Sequence, residues 1–219
     1  MYSHDSLCNE INIKGSFKHL NANMQSMISK ILGGIVVGDP ILRCAVIPDT
    51  RIKPNLKLSI NSKDYYISVL NGQGNSVHEE SPYDINAVLT ALKASSNVIK
   101  CINDLCYYRS HTTDFVNNLM ITNPLMLTET RDFLMNYRHF FIERAIKTGM
   151  YGLQPSEFIY WGDVNYGVIK EVNQVVINLE SGRASKSLFP IGKLALQRKD
   201  YTVNNNIQIK WSHPERDLS

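Results

Sequence analysis

The sequence predicts an α+β domain, a mixed β-sheet flanked by helices, and two observations carry that expectation. Apolar residues recur at helical spacing from Phe17 to Leu32 and again between Ile85 and Lys147, whereas the stretches from Ile41 to Leu70 and beyond Gly149 hold short runs with strand periodicity. The order helix, strands, helices, strands does not alternate strictly, which favours α+β over a doubly wound arrangement. A chain of 219 residues suits a single domain, 1–219. A change of character near residue 150 allows a subdivision into a helix and hairpin core, 1–150, and a β-rich C-terminal part, 151–219.

The elements follow in order. Phe17, Leu20, Met24, Met27, Ile28, Ile31 and Leu32 line one face of an amphipathic helix that Gly33 and Gly34 end. After the turn at Gly38-Asp39-Pro40, Ile41 to Ile47 reads as a strand. Leu56, Leu58 and Ile60 alternate with Lys57 and Ser59, a turn occupies Asn61 to Asp64, and DYYISVL continues as the second arm of a hairpin. Asn71 to Asn75, with its two glycines, reads as a loop. Asp84 is the expected cap of a long helical run to Leu105, with Ser95, Ser96 and Asn97 as the place where it bends or splits. A second helical block runs from about Glu129 to Lys147. Strands are expected at Glu157 to Trp161, Gly167 to Glu171, Asn173 to Leu179, Lys193 to Lys199 and Asn206 to Trp211.

Composition narrows the function. Hydrophobic residues make up 43% and charged residues 20%, so the chain can bury a core and is not disordered by composition. A formal net charge of +3 permits contact with nucleic acid without demanding it. Cys8, Cys44, Cys101 and Cys106 form no C-x-x-C pair and read as reduced, buried thiols. The N-terminus has neither the basic nor the apolar segment of a secretory signal, and no run reaches the length of a membrane span, so a cytoplasmic location with no membrane partner is expected. A phosphate-binding loop, a nucleophile elbow, a zinc-protease helix and a dinucleotide fingerprint are all absent from the sequence.

The informative stretch runs from Lys53 to Glu80. Hydrolysing a phosphodiester with magnesium calls for hard oxygen ligands, and a lysine beside them offsets the developing charge. An acid at the start of one strand and an acid-x-lysine pair on its neighbour deliver these groups to one cleft, because residues two apart share a face. Lys53-Pro54-Asn55, Ser68-Val69-Leu70 and GQGNSVHEE are similar to the core of restriction-endonuclease-like proteins of the PD-(D/E)xK superfamily. The match is best to a bacterial branch whose pattern runs K-P-D, an alternating strand, S-[IV]-K and G-x-G-N-S-V-H-x-E. Ile142 to Gly167 and Ile191 to Trp211 share the flavour of that branch, so the likeness touches about half of the chain in three blocks.

That resemblance implies a restriction-endonuclease-like core. It sets Asn55 at the metal-binding aspartate, Ser68 at the second acid and Leu70 at the lysine. An asparagine carbonyl can ligate a cation without attracting it, and a leucine orients no water. His78 and Glu80 match the histidine and glutamate of the string and are candidates for compensation, with Asp49, Glu10, Lys57 and Lys63 as further nearby groups. The competing reading has His78 and Glu80 ordering the loop by hydrogen bonding. Gln197, Arg198, Lys199, Gln208 and Lys210 are candidates for lining a DNA groove, against the alternative of a solvated strand face behind Leu194, Leu196, Ile207 and Ile209. Tyr151, Phe158, Tyr160, Trp161 and Tyr166 read either as core or as a stacking surface. The expected function is that of a catalytically degenerate nuclease-fold subunit in a bacterial DNA-acting assembly of anti-phage or anti-plasmid type. It would bind other protein subunits, double-stranded DNA or both. No cofactor is expected and no metal site is assigned, with Mg²⁺ required if the chain is active. The alternatives are an active Mg²⁺-dependent DNA endonuclease with a rearranged site and a purely structural interaction module.

Overall fold

The computed structural model describes residues 3–70, 76–184, 188–199 and 204–218. In chain order the elements are α1 (Ser3–Lys14), a 3₁₀ turn (Phe17–His19), α2 (Ala22–Ile31), β1 (Leu42–Val46), β2 (Leu56–Ile60), β3 (Lys63–Leu70), β4 (Ser76–Glu80), α3 (Pro82–Ala91), α4 (Ser96–Tyr107) and α5 (Thr112–Thr122). They continue with α6 (Pro124–Asn136), α7 (Arg138–Glu143), a π-helical turn (Arg144–Thr148), β5 (Phe158–Gly162), β6 (Gly167–Glu171), α8 (Val172–Glu180), β7 (Phe189–Ile191), β8 (Leu194–Arg198), β9 (Ile207–Trp211) and α9 (Pro214–Leu218). This is the α+β class with a mixed sheet and flanking helices that the sequence predicts. The chain forms two compact units, one from Met1–Asn75, Glu143–Asn178 and His213–Ser219, the other from Ser76–Ile142 and Leu179–Ser212.

The first unit is built on a five-stranded sheet of order β1-β2-β3-β5-β6. Strands β3 and β5 run parallel and every other pair is antiparallel. One face carries Leu42, Leu56, Leu58, Ile60, Ile67 and Val69, which pack with Leu7 and Ile11 of α1 and Met24 and Ile28 of α2. Burying each such side chain stabilises the fold by about 1.5–3 kcal/mol. The hairpin closes through Asn61 and Ser62, whose φ values of 47° and 70° are the left-handed pair of a two-residue turn matched to strand twist. Asn61 also anchors the neighbouring chain, since its Oδ1 accepts from the Ile41 N–H at 3.0 Å.

The second unit holds a four-stranded antiparallel sheet of order β4-β9-β8-β7 with α3 to α6. Serines cap α3 and α4: the Ser81 and Ser95 hydroxyls accept from the N–H groups of Asp84 and Val98. The run from Ile85 to Leu105 is therefore two helices split at Ser95, and Asp84 lies inside the first turn rather than at the cap.

Several expectations need correction. Asn173 to Leu179 is helix, not strand: Val172, Val175, Val176 and Leu179 are buried while Asn173, Gln174 and Ile177 are exposed, a spacing of three and four. Its valines and isoleucine suggest β structure by composition, and periodicity overrides them. Helices α1 and α5 carry no clear signal in the sequence, because their polar residues blur the apolar stripe. The amphipathic helix starts at Ala22, where the Asn21 side chain accepts from Met24 N–H, with only a 3₁₀ turn before it. The aromatic cluster divides: Phe158 and Tyr160 are core, whereas Tyr151 and Tyr166 are exposed. All four cysteines are free and buried, and burial pushes the Cys101 and Cys106 thiols up to about 11. Among the described residues no helix is long and apolar enough to cross a membrane.

Candidate functional site

Asn55 stands one residue before β2, and its side chain continues the ladder that its backbone begins. Its backbone N–H donates to Ile67 O at 3.1 Å. Its Oδ1 accepts from the Val69 N–H at 2.7 Å, and its Nδ2 donates to Val69 O at 3.0 Å. The carboxamide thus replaces a backbone peptide opposite Val69. An aspartate could accept the first bond but has no donor for the second.

Ser68 and Leu70 flank Val69 and point to the opposite face of β3. Ser68 is 2% exposed and sits opposite Ile159 of β5, itself buried, while Leu70 sits opposite Trp161. The hairpin therefore gathers the three motif positions at one end. What it gathers is a carboxamide committed to backbone, a buried hydroxyl and a hydrocarbon. This set does not fit Mg²⁺, which needs hard, mostly anionic oxygen ligands. Among the described residues there is also no group of three His, Cys, Asp or Glu side chains placed to hold a metal. The GQGN part of the motif lies outside the described residues.

The nearby charged residues are engaged elsewhere. Asp49 takes Arg51 through both carboxylate oxygens at 2.8 Å, and these bonds hold its carboxyl down at about 2. Lys57 pairs with Asp64 at 2.6 Å, and Lys63 lies 4.9 Å from the centre of the Tyr65 ring. Lys63 opens β3 and Leu70 ends it, a separation of seven residues or roughly 23 Å along the strand. Glu10 is 3.9 Å from Lys14 within α1.

Lys53 is the residue that sequence reasoning misses. Desolvation of its ammonium pulls it down to about 8, two positions before Asn55. Its segment is closed in by Gly149, which follows the π-helical turn with φ 69°; a Cβ there would meet Arg51 O and Lys53 N at 3.0 Å. The sequence places Lys53 in the quoted motif but does not mark its burial, because its environment comes from a segment about a hundred residues away.

His78 and Glu80 belong to the second unit, whereas Asn55, Ser68 and Leu70 belong to the first. Alternation along β4 puts His78 and Glu80 on one face, where His78 Nε2 and Glu80 Oε1 are 2.7 Å apart. Their side chains are 8% and 4% exposed, beside a cavity of about 10 Å³ bordered by Ile85, Phe141, Leu196 and Ile209. That space admits about one water. A register shift between Ser76 and His78 marks a bulge at Val77. Glu79, on the other face, pairs with Lys199 and accepts from Asn206 Nδ2 at 2.7 Å. Burial opposes ionisation of Glu79, but these bonds outweigh it and its carboxyl is held below the usual range.

The five groove candidates do not share a face. Strand pairing aligns Glu79 with Gln208 and Gln208 with Gln197, and Lys210 and Lys199 lie on that same polar side. Arg198 alternates to the apolar side with Leu196 and Ile207. Gln208 is buried and its Nε2 donates to Arg198 O at 3.2 Å, so it is no open base-reading amide.

No family model and no curated protein matches the chain. Among solved structures it is similar to the restriction endonuclease MspI in complex with its cognate DNA, with a TM-score of 0.61 over 91% of this chain and 85% of that one. The two are 14% identical, a likeness that speaks to architecture alone. The chain therefore has a restriction-endonuclease-like fold.

Proposed function

We propose that this chain is a catalytically degenerate nuclease-fold protein that binds duplex DNA as a subunit of a bacterial DNA-acting assembly of defence type. The observation that carries the reading is the two-point bond between the Asn55 carboxamide and the Val69 backbone. The position that the resemblance assigns to a metal-anchoring aspartate is here part of a strand ladder, and among the described residues no group of three His, Cys, Asp or Glu side chains is placed to hold a metal. Loss of grouped catalytic residues is not repaired piecemeal, because they act as a unit. DNA binding is supported by the fold shared with MspI, which is described with its cognate DNA. The polar side carrying Gln197, Lys199 and Lys210 supplies groups suited to phosphate contacts.

The test pairs two assays on the same preparation. Plasmid incubated with Mg²⁺ or Mn²⁺ stays intact, while a gel shift at low salt shows duplex binding that weakens as salt rises. Cleavage abolished by His78→Ala or Glu80→Ala establishes the rearranged endonuclease instead. No binding at low salt leaves the purely structural module.

A further inference from the structure

Helix α1 packs against β1, the edge strand of the five-stranded sheet, and one side chain joins the two. The Asn12 carboxamide accepts from the Cys44 N–H and donates to the Cys44 carbonyl, both at 2.8 Å. It thereby occupies backbone groups that an edge strand otherwise offers to another chain. The same Asn12 Nδ2 donates to the Cys8 sulfur at 3.6 Å, one turn earlier on the same face of α1. Cys8 and Cys44 are themselves hydrogen-bonded thiol to thiol. A helix and a strand far apart in sequence thus bring two free sulfurs together around one amide.

The other two cysteines are placed differently. Cys101 and Cys106 have no exposed surface, and they point to different sides of α4, since five positions turn a helix by about 140°. Cys8 and Cys44 keep 6% and 8% of theirs, enough for an oxidant little larger than water to arrive. Burial, and after it the Cys8 sulfur alongside, hold the Cys44 thiol protonated well above the ordinary range. The thiolate is the nucleophile, so Cys44 is the poorer first attacker and Cys8 opens the reaction.

We propose that Cys8 and Cys44 are a modification site for a peroxide-class oxidant, forming a reversible disulfide that fastens α1 over the edge of β1. The Cys8 sulfur attacks one peroxide oxygen and the O–O bond breaks, which leaves Cys8 as a sulfenic acid and releases one water. The Cys44 sulfur then attacks the Cys8 sulfur, the S–O bond breaks, and the hydroxyl departs with the Cys44 proton as a second water. The two sulfurs give up two electrons, and the peroxide is reduced to two waters. The new bond restricts the unfolded chain and so stabilises the folded one. It also holds the Asn12 carboxamide on the Cys44 backbone, keeping the sheet edge closed to pairing with other chains. The proposal goes beyond the duplex-binding reading and stands without it, since it uses neither the motif positions nor the second unit.

The experiment treats the full chain, reduced and then freed of reductant, with millimolar hydrogen peroxide. Intact mass and a tryptic map without reductant give the readout. A mass lower by two hydrogens is expected, with the peptide ending at Lys14 joined to the one running from Cys44 to Arg51. Dithiothreitol restores both peptides. In Cys44→Ser the Cys8 sulfenic acid has no partner and is trapped by dimedone. The cross-linked chain melts about 5–15 °C above the reduced one, and Cys44→Ser shows no such rise. A wild-type chain that loses no hydrogens, a link that joins other cysteines or two chains, or sulfinic acid at Cys8 in place of the link would each overturn the proposal. So would Cys8 left unlabelled in Cys44→Ser, or a cross-linked chain that melts no higher than the reduced one. The wild-type mass map decides the matter even where a variant fails to fold.

Discussion

An aspartate at position 55 would place a carboxylate oxygen 3.0 Å from Val69 O, where the Asn55 Nδ2 now donates. Asn55→Asp therefore loses a bond and gains a repulsion, and costs about 1–3 kcal/mol of stability in urea unfolding at pH 7. The penalty raises the pKa of the introduced carboxyl in the folded state, so it fades as pH falls through that raised value and the carboxyl takes up a proton. The double reversion Asn55→Asp with Leu70→Lys places the missing charges beside the buried Ser68 and is expected to leave plasmid uncut. Lys53 gives a second measurable sign. Its folded value, about 8, lies below the ordinary lysine value, so the charged form is disfavoured in the folded state. The penalty is full below pH 8 and is relieved as pH rises from there towards 10.5. The stability of wild type relative to Lys53→Met should therefore rise as pH goes from about 8 towards 10.5. A constant difference across that window would show the lysine to be solvated.

Helix α8 and strand β4 show what can and cannot be read before folding. The hairpin is legible because Leu56, Leu58 and Ile60 alternate and Asn61-Ser62 is turn chemistry, both local properties. Helix α8 misleads because its β-branched residues have strand propensity, while the stripe of Val172, Val175, Val176 and Leu179 needs a longer window. The clustering of Asn55 with Ser68 and Leu70 is legible from motif spacing. Asn55's bond to Val69 is not, since it depends on register. Glu79 on β4 carries the testable consequence here. Its carboxyl is held below the usual range by Lys199 and Asn206 against the opposing effect of burial. It contributes stability above the ordinary glutamate pKa, about 4.3, and that contribution is lost as pH falls through the lowered folded value. Glu79→Gln should thus lower Tm at pH 7 and match wild type in strong acid.

Across the whole molecule, the proposed loss of catalysis would leave the architecture intact. The fold likeness to MspI spans 91% of the chain at 14% identity, so it rests on layered packing rather than on shared residues. The apolar face shared by β1, β2, β3 and β5 with α1 and α2 does not depend on what stands at positions 55 and 70, neither of which belongs to that buried cluster. The proposed duplex binding would run through lysines on the polar side of β8 and β9. Lys199→Ala with Lys210→Ala should weaken duplex binding about equally across sequences and flatten its salt dependence by up to about two phosphate contacts. Unchanged slopes would locate the DNA contact elsewhere.

The most direct measurement is anomalous diffraction from crystals soaked in Mn²⁺, searched at the end of the β2–β3 hairpin. No peak is expected there, with the Asn55 carboxamide still facing Val69. A Mn²⁺ peak at about 2.1 Å from Asn55 Oδ1, with that side chain turned away from the ladder, would contradict the loss of the metal site.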